Sequence, residues 1–164
     1  MYSKLSVFDF DGTLINTPEP TEREKKVWEV VNDKEWPFIG WWGRPESLDL
    51  DVWPMEPKPE VLEAYKKEIS DPNTMVILLT GRLEKLRPQV EAILDKNNLN
   101  FDAVLLNRGT STVIDKISQM NNLLKSNPSI KSVEMWDDRE EHFPKFKAWG
   151  NDLDGIGFNI NLVK

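Results

Sequence analysis

Short apolar segments of strand length alternate with amphipathic helical segments along nearly the whole chain, and this alternation limits the possible folds most. The clearest strand is Met75–Leu79, a continuous apolar run of the kind that is buried on both faces of a sheet. Helical spacing of apolar residues follows Pro59, Pro88 and Thr112. The alternation predicts an α/β fold, a Rossmann-like, doubly wound parallel sheet with helices on both faces. About five strands are predicted: Lys4–Phe10, Met75–Leu79, Phe101–Leu106, Ser132–Trp136 and Ile156–Leu162, the last at an edge.

One stretch between the first and second predicted strands interrupts this alternation. Residues 16–57 are irregular in pattern and contain five of the seven tryptophans of the chain. We interpret them as a small Trp-rich cap inserted within a single domain of residues 1–164. Within this insertion, Thr21-Glu22-Arg23-Glu24 predicts a capping box at the start of a helix.

The composition excludes several classes of function. The chain has 21 Lys and Arg against 28 Asp and Glu, and this net charge of −7 disfavours strong binding to duplex DNA through its phosphates. No cysteine is present, which excludes Cys-ligated zinc and thiol chemistry and is consistent with the cytoplasmic location that we expect. No apolar run approaches the roughly 20 residues of a membrane helix, so we expect no membrane partner.

Polar and charged side chains follow the predicted strands at their carboxyl ends, where ligands bind in sheets of this type. Carboxylates, hydroxyls and one lysine therefore converge at one edge of the sheet. This combination suits a hard divalent cation together with a phosphate group. The residues concerned are Asp9-Phe10-Asp11-Gly12-Thr13, Thr80-Gly81-Arg82, Lys116 and Asp137-Asp138-Arg139.

The spacing of the acids strengthens this interpretation. Asp9 and Asp11 are two residues apart, which puts them on the same side of an extended chain, and Gly12 then permits a sharp change of direction. Asp137 and Asp138 are adjacent at a strand end, where like charges repel each other. A bound divalent cation would relieve that repulsion.

Two further residues near this edge are open to more than one interpretation. Lys116 alone could be a solvated helix residue, but Thr112-x-x-Asp115 predicts a capping box that puts it in the first helical turn, where anions are favoured. His142 is the only histidine and has no cysteine or histidine partner, so we favour a packed or hydrogen-bonded role over a catalytic one.

Taken in this order, the motifs resemble those of the haloacid dehalogenase (HAD) superfamily of phosphohydrolases. More narrowly, nearly the whole chain resembles the Swiss Army Knife RNA repair-like HAD proteins. Two positions depart from that pattern, because Asp115 stands where an aromatic residue is expected and Asp137 where Glu is frequent. The narrower resemblance rests on Gly40-Trp41-Trp42, Leu78-Leu79-Thr80-Gly81-Arg82, Phe101-Asp102, Thr112-x-x-x-Lys116 and Asp137-Asp138-Arg139-x-x-His142-Phe143.

The resemblance implies a Mg²⁺-dependent phosphomonoesterase that works through an aspartyl-phosphate. Asp9 would attack phosphorus, and Asp11 would act first as general acid and then as general base. The resemblance also implies the remaining roles: Mg²⁺ held by Asp9, the backbone carbonyl of Asp11, Asp137 and Asp138, and phosphoryl oxygens held by Thr80, the backbone amide of Gly81 and Lys116.

The substrate is less constrained than the chemistry. The family suggests a terminal phosphate of RNA or another nucleic-acid end, and Trp41, Trp42, Arg44 and Arg82 are candidates to contact it. Adjacent indoles in a Gly-rich loop cannot easily both face inward, so we expect at least one to be partly exposed; alternatively, both form the core of the cap. A small-molecule phosphatase such as a nucleotidase, and a non-catalytic HAD-fold binding module, are the alternative functions.

Overall fold

A computed structural model describes all of residues 1–164 and contains one five-stranded sheet. Its strand order is β3-β2-β1-β4-β5, and every neighbouring pair is parallel. The doubly wound α/β fold predicted from the sequence is therefore confirmed, with β5 at an edge. The strands are β1 (Lys4–Phe8), β2 (Thr74–Leu83), β3 (Ala103–Asn107), β4 (Ser132–Asp137) and β5 (Gly157–Leu162).

Helices cover both faces of the sheet because successive strand side chains point to opposite sides. On one face Phe8 and Leu78 pack with residues of α2 and α3, and on the other Val7 and Leu79 pack with residues of α4 and α5. None of the helices combines the length and apolar composition needed to cross a bilayer. The helices are α1 (Glu22–Asn32), α2 (Pro59–Ile69), α3 (Arg87–Lys96), α4 (Thr112–Ser126) and α5 (Phe143–Asn151).

Residues 16–57, which we call the insert, contain α1 and two 3₁₀ helices, Trp41–Gly43 and Pro45–Leu48. The two ends of the insert lie side by side, since the backbone amide of Asn16 donates to the carbonyl of Glu56 at 2.8 Å. Its aromatic side chains form a packed cluster that is continuous with the core on the α2–α3 face of the sheet; the cluster comprises Trp28, Trp36, Phe38, Trp41 and Trp53.

Both predicted capping boxes are wrong in detail. Thr21 is the N-cap residue of α1, but its side chain makes no capping hydrogen bond. The N-cap residue of α4 is Ser111 rather than Thr112, and its Oγ accepts from the backbone amide of Ile114 at 3.4 Å. Ser111 has the extended backbone that an N-cap requires, whereas Thr112 is already helical. Lys116 consequently lies in the second turn of α4.

Candidate active site

Three carboxylates lie together at the carboxyl ends of β1 and β4. Phe8 pairs with Trp136 in the sheet, so the next residues, Asp9 and Asp137, leave adjacent strands side by side. Each of Asp9, Asp137 and Asp138 offers a carboxylate oxygen within 4.8 Å of the others. Asp9 and Asp137 are buried, so this group of acids is held largely out of water.

Lys116 is the cation at the centre of this group. Its Nζ donates to Oδ1 of Asp9 at 2.9 Å and to Oδ2 of Asp137 at 3.0 Å, and its side chain is only 3% exposed. Burial lowers the pKa of Lys116, but the charges of Asp9 and Asp137 outweigh burial and hold it above the usual value of 10.5. Lys116 therefore carries a positive charge at neutral pH.

One lysine does not compensate three carboxylates. Burial raises the pKa of Asp9 well above its ordinary value of 3.8, and the charges of Asp137 and Asp138 add to this effect although Lys116 opposes it. Oxygen-rich clusters with such an excess of negative charge are the sites that Mg²⁺ occupies in proteins. The donor set at this edge of the sheet thus fits a hard divalent cation.

The turn after β1 positions the third acid of the group. Gly12 has a φ of +68°, and a Cβ atom on it would lie 2.3 Å from Oδ2 of Asp138. Only glycine combines that φ with such a close approach without strain. Thr13, which the sequence placed at this edge without a role, has its Oγ1 3.2 Å from Oδ2 of Asp9 and 3.3 Å from Oδ1 of Asp138. Its place directly after Asp11-Gly12 was the available signal.

Asp11 is held apart from the acid group by an arginine. Nε and Nη2 of Arg82 donate to its two carboxylate oxygens at 2.9 and 2.7 Å, and the hydroxyl of Thr17 donates to Oδ1 at 2.9 Å. Arg82 is 4% exposed and also donates from Nη1 to the carbonyl of Trp42 and to Oγ of Ser47. This arginine therefore links the ends of β1 and β2 to the insert.

A cavity of 230 Å³ lies beside these groups. Gly81 and Lys116, both predicted to bind phosphate, line it together with Asp9 and Thr112. Thr80 is fully buried and is absent from the lining; its Oγ1 accepts from the backbone amide of Arg82 at 3.1 Å. The strand is irregular here, because the β2–β3 register shifts between Leu79 and Leu83. Two of the three predicted phosphate-binding groups thus face the cavity.

The two adjacent tryptophans of the insert have different environments. Trp42 is 37% exposed, lines the cavity and lies over the Arg82 guanidinium, 5.1 Å from the ring centroid. Trp41 is buried in the aromatic cluster, and its Nε1 donates to the carbonyl of Pro18. One of the two indoles is therefore accessible, as predicted. Arg44 pairs with Glu46 and lines neither this cavity nor the larger one described below.

His142 lines the cavity, whereas Asp115 does not. His142 has a buried Nδ1 without a hydrogen-bond partner; burial lowers the pKa of the ring below its usual 6.5. Asp115 is 3% exposed and accepts from Nε2 of Gln119 at 2.7 Å, while Nε of Arg108 lies 3.6 Å away. The acid at this position thus stabilises the loop between β3 and α4.

A larger groove of 1070 Å³ adjoins the cavity on the side of the insert. Asp11, Trp42 and Arg139 line both spaces, so the two are contiguous at these residues. The site therefore consists of a small cavity lined by charged residues, among them Lys116, and a larger groove that meets this cavity at Asp11.

Comparisons with known proteins bear on the family and the fold of the chain. The chain is 29% identical over 174 aligned positions to Uncharacterized protein YMR265C of Saccharomyces cerevisiae, an alignment that covers 93% of this chain and 38% of that protein. The chain thus spans well under half the length of this relative. Among solved structures, it resembles a chain of the Pnkp1/Rnl/Hen1 complex with a TM-score of 0.60 and 18% identity, covering 99% of this chain and 45% of that one.

Two bacterial structures have the same fold. A haloacid dehalogenase-like family hydrolase from Streptococcus pneumoniae superposes with a TM-score of 0.55 and 10% identity, over 98% of this chain and 94% of that one. The HAD domain of the effector Lem4 from Legionella pneumophila gives a TM-score of 0.57 and 12% identity, over 99% and 87% of the two chains. The sequence model described as "HAD domain family 1 in Swiss Army Knife RNA repair proteins" matches residues 17–161. The chain therefore belongs to this family of the HAD superfamily.

Proposed function

We propose that this protein is a Mg²⁺-dependent phosphomonoesterase that works through an aspartyl-phosphate and acts on the terminal phosphate of RNA or another nucleic-acid end. The observation that carries the proposal is the group of Asp9, Asp137 and Asp138 around Lys116, beside a cavity of 230 Å³. Asp9 is the nucleophile because it is the one acid that both contacts Lys116 and lines this cavity.

In the first step, a carboxylate oxygen of Asp9 forms a bond to phosphorus as the bond from phosphorus to the leaving oxygen breaks. Asp11 gives a proton to that leaving oxygen. In the second step, water attacks the phosphorus of phospho-Asp9, Asp11 takes its proton, and free carboxylate and phosphate result. Both carboxylate oxygens of Asp11 accept from Arg82, so Asp11 must give up at least one of these contacts to carry a proton.

The phosphoryl oxygens are held by positive charge and backbone amides. Lys116 and the amide of Gly81 are the groups best placed for this, while Thr80 stabilises the end of β2 by accepting a hydrogen bond from the Arg82 amide. Removing one such group costs a factor on the order of 10² to 10³ in rate. Asp9, the backbone carbonyl of Asp11, Asp137 and Asp138 would hold the Mg²⁺, which supplies charge neutralisation between the nucleophile and the anionic substrate.

The nucleic-acid substrate is supported by the family and by one accessible ring. The family description refers to RNA repair, and a second similar structure is described as the Pnkp1/Rnl/Hen1 RNA repair complex. Trp42 presents an exposed indole at the rim of the cavity, where a base could stack on it. Of the four candidate substrate contacts, Trp42 and Arg82 line the cavity, whereas Trp41 is buried and Arg44 pairs with Glu46.

A substrate panel in the presence of Mg²⁺ tests this proposal. The wild-type protein should release phosphate from an aryl phosphate and from RNA bearing a terminal phosphate, and the Asp9→Asn protein from neither. Release from mononucleotides but not from RNA would favour a nucleotidase. A lack of release from all substrates would favour a binding module.

The role of Asp11 is tested by trapping the intermediate. We expect Asp11→Asn to form phospho-Asp9 in a rapid-quench experiment but to turn over about 10² to 10⁴ times more slowly. Steady-state turnover equal to that of the wild-type protein would exclude Asp11 as the acid and base.

A further inference from the structure

The 1070 Å³ groove is the natural position for the part of the substrate that leaves. If Asp11 protonates the leaving oxygen, as in the proposed function on which this inference rests, that oxygen lies where the cavity meets the groove. The cavity of 230 Å³ has space for the phosphoryl group, and the larger substituent must therefore extend past Trp42 and Arg139.

Two arginines in this groove differ from the others in the chain. The sequence contains six arginines, and four of them pair with carboxylates: Arg44, Arg82, Arg87 and Arg108. The two that make no salt bridge, Arg23 and Arg139, both line the groove. Both are exposed, so their guanidinium groups are available to a ligand.

Arg139 is the better placed of the two. Its backbone amide donates to Oδ1 of Asp137 at 3.0 Å, which fixes the residue directly beside the acid group. Its side chain lines both the cavity and the groove, whereas that of Arg23 lines the groove alone. A guanidinium group at this point is suited to bind a phosphate on the leaving side, because its planar fork of donors matches phosphate oxygens.

The acids in the groove make this recognition selective. Glu19, Glu24 and Glu141 line the same space, so the groove is not a uniformly positive surface. A phosphate on the leaving group is favoured only where it meets an arginine or one of the groove lysines, Lys58 and Lys164, and is repelled by the acids, which restricts how the substrate can lie.

We propose that the groove is a subsite for the leaving group and that Arg139 binds a second phosphate there. The preferred ligand is then a nucleotide whose sugar carries one phosphate for hydrolysis and another that contacts Arg139, as at the end of an RNA strand. Trp42 accepts the base between the two, and Arg23 is positioned for a phosphate further along the strand.

Binding to the Asp9→Asn protein tests this independently of turnover. Calorimetric titrations compare a nucleoside 3′,5′-bisphosphate with the corresponding 3′- and 5′-monophosphates, in the presence of Mg²⁺. We expect the bisphosphate to bind about tenfold more tightly than either monophosphate, as is typical of one charge-assisted contact, and the advantage to shrink as salt is raised. The same titration of the wild-type protein with EDTA provides a second form that does not hydrolyse the ligand.

Substitutions then assign the effect to one side chain. Introduced into Asp9→Asn, Arg139→Gln should reduce the tenfold preference to less than about twofold, and Arg139→Lys should retain part of it. Lys125→Gln is the matched control, since it removes the same charge from an exposed residue in the last turn of α4 that lines neither the cavity nor the groove, and it should preserve the preference.

The outcomes separate this inference from the proposed function. Equal affinities for mono- and bisphosphates, or a preference that Arg139→Gln does not change, would overturn the subsite even if the wild-type protein hydrolyses an aryl phosphate. An Arg139-dependent preference in a protein that hydrolyses no phosphomonoester would uphold the subsite and reject the phosphatase. A sugar bisphosphate that binds as tightly as the nucleoside bisphosphate would exclude the nucleotide specificity.

Discussion

At each end of strands β1 and β4 one lysine contacts two acids, but the pKa of an acid shifts in opposite directions at the two ends. At the amino end, Nζ of Lys4 lies 2.8 Å from Glu68 and 2.7 Å from Glu134. At the carboxyl end, Nζ of Lys116 lies 2.9 Å from Asp9 and 3.0 Å from Asp137. At the carboxyl end the lysine comes from α4 and bridges acids that follow β1 and end β4, whereas at the amino end a lysine of β1 bridges one acid of β4 and one of α2.

The acids respond differently at the two ends. Burial alone would raise the pKa of Glu134, but hydrogen bonds from Lys4 and Asn161 outweigh it and hold that pKa below 4.5. Burial raises the pKa of Asp9 above 3.8, and the charge of Lys116 does not reverse it. The amino end is therefore a relaxed ion pair, whereas the carboxyl end contains a carboxylate that is costly to ionise.

The opposite pKa shifts at the two ends follow from burial and from one additional acid at the carboxyl end. Lys4 is partly open to water at 27% side-chain exposure, whereas Lys116 is 3% exposed and has Asp138 as a further nearby acid. A cluster of acids whose negative charge exceeds the positive charge beside it is stabilised most by a bound cation. The comparison thus separates a partly solvated ion pair from a buried one that keeps an excess of negative charge.

The largest effect is expected when one acid is neutralised at each end of strands β1 and β4. Asp9→Asn should lower turnover of an aryl phosphate by at least about 10³-fold, because it removes the proposed nucleophile, and should leave the melting temperature equal or higher. Glu134→Gln should leave turnover intact. Both are measured by phosphate release and by circular dichroism melts; an active Asp9→Asn protein that is correctly folded would reject the covalent mechanism.

Removing the two lysines should affect stability very unequally. Lys116→Met leaves Asp9 and Asp137 buried without a partner, so the free energy of unfolding should fall by about 3–5 kcal/mol. Lys4→Met breaks a partly solvated pair, so the loss should be at most about 1 kcal/mol. Urea denaturation without added metal gives both values, and similar losses for the two variants would contradict the comparison.

Of the two adjacent tryptophans near the carboxyl ends of the strands, one should contribute to ligand binding and the other to the stability of the fold. Trp42→Ala should weaken nucleotide binding by roughly 1–3 kcal/mol, because an exposed stacking surface is lost, with little change in turnover of an aryl phosphate. Trp41→Ala should instead lower the melting temperature and affect all substrates alike. Equal loss on every substrate together with a lower melting temperature for Trp42→Ala would reject the stacking role.

The smallest effects are those of pH on the metal-free protein. Glu134 has a folded-state pKa below 4.5, so its stabilising contribution is present above that pH and is lost as the pH falls further. Asp9 has a raised pKa, so its contribution is present below pH 3.8 and is lost as the pH rises through the folded-state pKa. The stability of each protein is measured as its urea midpoint between pH 7 and pH 3. Asp9→Asn should lack the part of the stability gain on acidification that protonation of Asp9 provides. Glu134→Gln should lack the part of the stability loss that protonation of Glu134 causes. Identical pH profiles for these two variants would contradict the assignment.

The five parallel strands and the edge position of β5 were predictable because they follow from the alternation of strand and helix patterns, whereas β2 extends to Leu83, beyond its predicted end at Leu79. The sequence indicated that Asp9, Lys116 and Asp137 would converge, since the carboxyl ends of parallel strands share one edge. The contact between Asp11 and Arg82 was not predictable, because the chain leaves the extended conformation after Phe8 and no pattern encodes the direction of a carboxylate beyond that point.

The sequence also did not indicate which of two neighbouring residues takes a given structural role. Either Ser111 or Thr112 could have capped α4, and either Trp41 or Trp42 could have faced inward; for the tryptophans, packing of Trp41 in the aromatic cluster decided. Asp115 gave no signal of its role, because its hydrogen-bond partner Gln119 is one ordinary polar residue among several on the same helix. Tertiary contacts therefore determine what local propensity leaves undecided.

The concentration of indoles in the insert makes the protein's intrinsic fluorescence a local reporter. Five of the seven tryptophans lie within residues 16–57, whereas far-ultraviolet circular dichroism reports mainly on the helices that flank the sheet. Coincident unfolding curves from the two signals would show that insert and sheet unfold as one cooperative unit, and separated curves would show an insert that opens first. Emission changes on adding a phosphorylated ligand can likewise be followed at the insert without attaching a dye.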